Sequence, residues 1–252
     1  MPIVYAHRGG AALRPENTIA AFDHGMALGA DGLEFDVHLS RDGVVVVHHD
    51  STLERTTSGQ GALEQFTAAE LAKLDACCNF SDGSGRHPYR GSGFGIPTMR
   101  EVLHRYPSAQ LIVELKRGGA RLAHAVVDEI RAARAIDRVA VGSFHSSAVR
   151  AVRAYEPALR TGAAALETRL ALYRSWVGWP LGQTAYREFQ VPTRSGPTPI
   201  VTRRFVNHAH RAGLSVKVWT VNTEAEMRRL LDYGVDALIT DRPDLARRVL
   251  AV

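Results

Sequence analysis

Gly32-Leu33-Glu34-Phe35-Asp36-Val37-His38-Leu39-Ser40-Arg41-Asp42-Gly43-Val44-Val45-Val46-Val47-His48-His49-Asp50 is the stretch on which the reading of this chain turns. Side chains alternate faces along a strand, so Glu34 and Asp36 point one way and Leu33, Phe35 and Val37 the other. The apolar set must pack against neighbouring elements, which leaves both carboxylates on an interior face. Asp42-Gly43 is a turn signal and Val44–Val47 is β-branched throughout, so the chain is expected to return as a hairpin over Val44–His49. A two-residue loop at Asp42-Gly43 pairs Arg41 with Val44 and, counted back, Asp36 with His49. Directly opposed Cβ atoms lie about 4.5–5.5 Å apart. A slip of one residue would bring His48 there instead.

Outward from this hairpin, strand-like runs recur with helical patterns between them. Strands are predicted at Ile3–Ala6, Gly32–His38, Gln110–Lys116, Val139–Phe144, Leu159–Ala163, Arg187–Val191, Ser215–Thr220 and Asp236–Thr240. Helical spacing appears at Thr18–Leu28, Ala120–Ala135, Ser146–Tyr155, Glu167–Val177, Val201–Ala212, Glu224–Tyr233 and Pro243–Val249. Asn17 or Thr18 suits the first helix N-cap, and Gly213 and Gly234 stand where helix C-caps belong. Repeated strand–helix alternation places the chain in the α/β class and predicts a TIM-type (β/α)8 barrel, with an open doubly wound sheet as the alternative. The prediction is one barrel domain over residues 1–252. Residues 51–98 form an insertion after the second strand and its hairpin, and Gly178–Pro199 is irregular.

At 252 residues the chain can bury a substantial core, and no apolar run approaches a membrane span. Ile3-Val4-Tyr5-Ala6 leads straight into His7-Arg8-Gly9-Gly10 without a signal-peptide layout, so a cytoplasmic location is expected, with no stable membrane insertion. The two cysteines, Cys77 and Cys78, are adjacent and read as reduced thiols. The net charge of +5 comes from arginines spread along the chain, since Lys73, Lys116 and Lys217 are the only lysines. With no basic run and no interleaved aromatics, a nucleic-acid partner is not expected and a small-molecule substrate is.

In such a barrel the chemistry sits at the C-terminal ends of the strands. The first strand ends in His7-Arg8, the second carries Glu34 and Asp36, the hairpin returns His49, and Val113-Glu114-Leu115-Lys116 again sets two polar side chains on one face. Three inward carboxylates at about 6.5 Å repel by roughly 2.5 kcal/mol per pair at an effective dielectric of about 20. They therefore invite a cation, and an oxygen-only set favours Mg²⁺ or Ca²⁺ over zinc. The alternative is a salt-bridge cluster with Arg8 and Lys116, but these two cannot neutralise three acids and also receive a phosphate. His7 and His49 are candidates for general acid and base. Arg8 offers a planar fork and Lys116 a compact charge to phosphate oxygens.

His7-Arg8-Gly9, Pro15-Glu16-Asn17-Thr18, Gly29-Ala30-Asp31 leading to Glu34-Phe-Asp36-Val, His49-Asp50 with Leu53-Glu-Arg55-Thr56-Thr57, Glu114-Leu-Lys116, Trp219-Thr-Val-Asn222 and Thr240-Asp-Arg-Pro243 occur in this order along almost the whole chain. Together they resemble the glycerophosphodiester phosphodiesterase family. The resemblance implies a TIM-type barrel of lipid and glycerol metabolism that cleaves glycerophosphodiesters to an alcohol and sn-glycerol 3-phosphate. It implies a divalent metal on Glu34, Asp36 and Glu114, with His7 and His49 as the acid–base pair and Arg8 and Lys116 near the phosphate. Glu16 is similar to a residue close to the metal and the substrate hydroxyls, and Phe144 and Trp219 would line the glycerol side. His145 stands where members of the family often carry an aspartate. Ala164–Pro199 matches no family pattern and is free to shape the leaving-group side.

Three other readings are carried forward. A phosphodiesterase acting on lysophospholipids or phosphoglycerol polymers would need an open apolar groove, which Phe80, Tyr89, Phe94 and Trp176–Trp179 could supply. A non-catalytic phosphate binder should have a broken acid–histidine set, and none is seen. A sugar-phosphate isomerase on the same fold would leave phosphate diesters untouched.

Overall fold

Apolar runs punctuated by glycine and proline pack in the computed structural model as a ring of parallel strands sheathed by helices; the structure describes residues 1–251. In chain order the strands are β1 (Ile3–His7), β2 (Gly32–Leu39), β3 (Val45–Val47), β4 (Gln110–Leu115), β5 (Val139–Gly142), β6 (Arg160–Thr161), β7 (Glu188–Pro192), β8 (Arg194–Ser195), β9 (Thr198–Pro199), β10 (Ser215–Trp219) and β11 (Ala237–Thr240). Hydrogen-bonded neighbours run β6-β5-β4-β2-β1-β11-β10-β7. A parallel bridge between Gly162 and Glu188 joins the two ends, which makes a TIM-type barrel and excludes the open sheet. Each of the eight predicted strands is one of these staves.

The helices are α1 (Ile19–Ala27), α2 (Ala68–Leu71), α3 (Met99–Arg105), α4 (Ala120–Ala132), α5 (Ser146–Tyr155), α6 (Ala165–Val177), α7 (Arg203–Arg211), α8 (Glu224–Asp232) and α9 (Pro243–Leu250). Thr18, not Asn17, caps α1, its hydroxyl accepting from the Ala21 amide at 3.2 Å. Helix α3 was not among the predicted helices. Its signal is a Thr98-x-x-Glu101 capping box ahead of Val102 and Leu103, and both reciprocal bonds form.

The period-two pattern of β2 sorts its side chains as expected. Leu33, Phe35 and Val37 pack outward with Phe22, Val102 and Val126 from the surrounding helices. A second shell on the opposite side joins Val4, Val216 and Leu238 to Phe205, Met227 and Val249. The barrel interior holds little apolar matter: Tyr5, Ile112 and Ile239 pack there. Alongside them the buried Lys217 ammonium lies 2.8 Å from Glu188 and 5.0 Å from the Tyr5 ring centroid. The mouth above this plug is where polar side chains can accumulate.

The hairpin departs from its predicted register. Its pairs are Val37–Val47, His38–Val46 and Leu39–Val45, so Asp36 lies opposite His48, one residue from the expected His49. The loop has three residues rather than two. The Ser40 amide donates to the Val44 carbonyl at 3.0 Å, and Gly43 adopts φ +80°, the left-handed position that such loops require. Ser40 drives the choice, because its hydroxyl donates to Asp42 at 2.6 Å and accepts from the Val44 amide at 3.0 Å. Strand β3 stops at Val47, His48 turns its ring to the Thr52 carbonyl, and His49 reaches the cavity instead. Residues 51–98 fold over β3 around their own small core of Val46, Leu53, Leu63, Leu71 and Ile96.

Candidate active site

Strand ends deliver the site. His7 and Arg8 leave β1, Glu34 and Asp36 sit on β2, Glu114 and Lys116 end β4, and the segment after β3 brings His49. Parallel register places His7 level with Glu34, and Asp36 level with Glu114. His7, Arg8, Glu34, His49, Glu114 and Lys116 line one end of a cavity of about 430 Å³.

The loop after β1 is held in an unusual shape. Arg8 has φ +49° and Asn17 has φ +58°, both in the left-handed region that side chains other than glycine seldom occupy. The two residues hold each other there, the Asn17 amide donating to the Arg8 carbonyl at 2.9 Å. Gly9 lies so close to α1 that a Cβ would stand 2.6 Å from that of Ala21. The result aims Arg8 into the barrel mouth and lets Asn17 Nδ2 donate to Asp36 at 2.9 Å.

Glu34, Asp36 and Glu114 each offer an oxygen within 4.8 Å of the others. At that spacing an ionised pair repels by about 3.5 kcal/mol at an effective dielectric of about 20. Two of the acids have cationic partners: Arg8 Nε approaches Asp36 at 3.1 Å, and Lys116 Nζ lies 2.9 Å from both Asp36 and Glu114. The salt-bridge cluster weighed from the sequence is thus real, but it omits one member. Among the described residues Glu34 forms no ion pair with a guanidinium or ammonium; its ion-pair contact is His7 Nε2 at 3.8 Å. Burial, reinforced by Asp36 and Glu114, pushes its carboxyl up to about 8. A buried carboxylate short of positive charge, in an all-oxygen cluster, fits a hard divalent cation.

Both histidines are tethered through Nδ1. His7 Nδ1 is 2.6 Å from Asp241, whose other oxygen accepts from Asn222 Nδ2 at 2.6 Å. His49 Nδ1 is 2.6 Å from Asp50. A carboxylate on Nδ1 fixes the ring and leaves Nε2 for chemistry. Burial alone would lower the His7 pKa, but Glu34 and Asp241 together hold it above the ordinary value. Behind His49, Arg55 binds Asp50 and forks onto both oxygens of Glu16, at 2.9 and 2.7 Å. Burial would raise the Glu16 carboxyl, yet Arg55 and Arg8 outweigh it and hold it at about 2. Glu16 therefore braces Arg8 (2.9 Å) and Arg55 rather than forming part of the cavity wall.

The far end of the cavity is apolar. Phe144 and Trp219 meet edge-on at 5.7 Å between ring centroids, and Leu172, Tyr173 and Trp176 of α6 continue the wall. Of the aromatics named from the sequence as a possible groove, Trp176 is here. Phe80, Tyr89, Phe94 and Trp179 are not; Phe80 and Tyr89 meet edge-on within the insertion. Asp241, Asn222, Asp50 and Arg55 support the histidines through contacts that nothing local in the sequence shows. Gln190, which also lines the cavity, presses on Gly142 so closely that a Cβ there would lie 2.2 Å from its oxygen.

The family described as the glycerophosphoryl diester phosphodiesterase family matches residues 7–245. A glycerophosphodiester phosphodiesterase of Caldanaerobacter subterraneus subsp. tengcongensis is 34% identical over 247 residues, covering 96% of this chain and 95% of that protein. A lysophospholipase D of Mus musculus is 26% identical, covering 97% of this chain and 81% of that one. The glycerophosphoryl diester phosphodiesterase domain of an uncharacterized Mycobacterium tuberculosis protein superposes with a TM-score of 0.87 at 25% identity over 98% of both chains. An Oleispira antarctica phosphodiesterase, solved in complex with the product sn-glycerol-3-phosphate, gives a TM-score of 0.80 at 26% identity over 100% of this chain and 98% of that one.

Proposed function

Because the chain belongs to the glycerophosphoryl diester phosphodiesterase family and is an enzyme of that class, we propose that His7 and His49 run its hydrolysis as an acid–base pair. The products are an alcohol and sn-glycerol 3-phosphate. One observation carries the reading: three carboxylate oxygens within 4.8 Å of one another share a cavity with two imidazoles, each tethered to a carboxylate.

Glu34, Asp36 and Glu114 would hold the cation, Mg²⁺ or Ca²⁺. When bound it supplies Lewis-acid polarisation of a phosphoryl oxygen and offsets charge as phosphorus adds a fifth ligand. His7, kept basic by Asp241 and Glu34, takes at Nε2 the proton of the nucleophile, either water or the neighbouring glycerol hydroxyl, and in the second case water then opens the cyclic phosphate to glycerol 3-phosphate. His49 gives a proton to the departing alkoxide from its own Nε2. Arg8, with Nε on Asp36 and one terminal nitrogen on Glu16, has its other terminal nitrogen left for a phosphate oxygen. Lys116 adds charge on the same side, and Phe144 and Trp219 cover the glycerol carbons. One barrel domain over residues 1–252 carries the whole reaction. A cytoplasmic setting suits the two free thiols, Cys77 and Cys78.

A coupled assay for glycerol 3-phosphate across several water-soluble headgroups tests the reaction. Release from at least one is expected, and silence across the panel would remove the reading. Asp241→Asn tests the tether. Turnover is expected to fall roughly 10–100-fold with KM little changed. Removing the negative partner lowers the His7 pKa, so the acidic limb of the rate profile moves to lower pH. A profile that stays in place would show Asp241 to be merely structural.

A second reading, favoured by the apolar wall of Leu172, Tyr173 and Trp176, is that lysophospholipids are also cleaved. The similarity to a mouse lysophospholipase D supports it.

A further inference from the structure

Helix α6 breaks the ordinary pattern of a surface helix. Its buried side is small, with Ala171, Leu172 and Ser175 turned inward. On the other side Leu166, Leu170, Tyr173 and Val177 stand 61, 50, 50 and 75% exposed. At about 100° per residue these four fall within roughly 60° of arc, a stripe that a solvated helix would fill with charge. Trp179, just past the helix end, is also exposed. Tyr173 belongs both to this stripe and to the cavity wall, so apolar surface continues from the catalytic cavity onto the outside of the molecule.

The rim beside the stripe is basic. The exposed Arg169 of α6 lines the cavity, and the exposed Arg194 stands on the β8–β9 hairpin, whose Ser195 and Thr198 line it too. Arg194 donates to the Pro197 carbonyl, and neither arginine enters an ion pair among the described residues. The net charge of +5 has the same sign. An apolar helical stripe flanked by unneutralised guanidiniums matches the interface of lipid and water, with anionic headgroups meeting the cations. A second copy of the chain could also cover the stripe, but a two-fold contact there would set the basic rims against each other and close the cavity mouth. At 13 residues α6 is about 20 Å long, too short to cross a bilayer, so it can lie only in the surface.

We propose that the outer face of α6 docks onto an anionic lipid surface and opens the catalytic cavity onto it. That single-chain glycerophospholipids then enter headgroup first rests on the catalytic reading above; the docking itself does not.

The test is cosedimentation of the full chain with phosphatidylglycerol vesicles and with phosphatidylcholine vesicles, beside the double variant Leu170→Gln/Val177→Gln. Neither residue lines the cavity, glutamine is a good helix former, and the exchange leaves the charge untouched. Wild type is expected to bind phosphatidylglycerol vesicles more tightly than phosphatidylcholine vesicles. The variant should bind at least ~30-fold more weakly, as loss of two buried aliphatic side chains requires, while hydrolysing a water-soluble glycerophosphodiester at the wild-type rate. Three results would overturn the proposal: no binding of wild type, equal binding of the variant, or a wild-type dimer that the variant converts to monomer. An inactive wild-type protein that still binds vesicles would sink the catalytic reading and leave the docking standing.

Discussion

His49→Ala is expected to lower turnover on a glycerophosphodiester by ~10²–10⁴-fold, the usual worth of a positioned proton donor, while cation binding stays near wild type. The separation follows from how the two histidines are held. His7 Nε2 lies 3.8 Å from Glu34, so removing His7 disturbs the acids as well as the proton transfer. His49 hangs instead from Asp50, which Arg55 ties to Glu16, and no acid of the Glu34–Asp36–Glu114 set bonds its ring. Alanine there deletes the donor and leaves the three carboxylates with the partners they had. Steady-state rates from the coupled assay, set beside a calorimetric titration with Mg²⁺ or Ca²⁺, measure both halves. Wild-type turnover in His49→Ala would take this residue out of the chemistry.

Glu34→Gln should weaken cation binding sharply and remove most of the activity. Asp36 and Glu114 already share Lys116, and Asp36 also has Arg8. Glu34 is the acid of the three that forms no ion pair with a guanidinium or ammonium among the described residues, and so the one whose charge a cation stabilises most. Glutamine keeps its shape and removes that charge; cation affinity is expected to drop ~10²-fold or more, as two units of charge attraction at contact distance imply. Stability gives an independent readout. A buried carboxyl held up to about 8 keeps its proton in the folded chain at pH values where the unfolded chain has lost it. In chelator, wild type should therefore lose stability as pH climbs from the ordinary carboxylate range toward 8, and Glu34→Gln should not. Parallel melting curves for the two proteins between pH 5 and 8 would show that Glu34 carries no such burden.

The sequence made some of this legible and hid the rest for physical reasons. Strand β2 announced its two faces because period-two alternation is local, and the same holds for Glu114 on β4 and Lys116 just past its end. Most of the eight staves were visible because they are short apolar runs bounded by turn residues. Hairpin register was not, since it depends on whether the Ser40 hydroxyl closes the loop, a contact that a count of turn residues cannot supply. Asp241 escaped because its partner His7 is 234 positions away and meets it only when β1 and β11 pair. The bracing of Glu16 by Arg55 likewise depends on the insertion folding over β3. Helix α6 was recognised as a helix, but which of its faces stays bare depends on how little of it the barrel covers.

The central claim is that Glu34, Asp36 and Glu114 together grip one divalent cation beneath two tethered imidazoles. A crystal structure of the protein grown with calcium measures it directly. The account predicts one ion bound by an oxygen from each of these three residues at ~2.3–2.6 Å, with His7 and His49 on the cavity wall beside it. Calcium bound elsewhere, with the Lys116 ammonium the sole cation between Asp36 and Glu114, would contradict it.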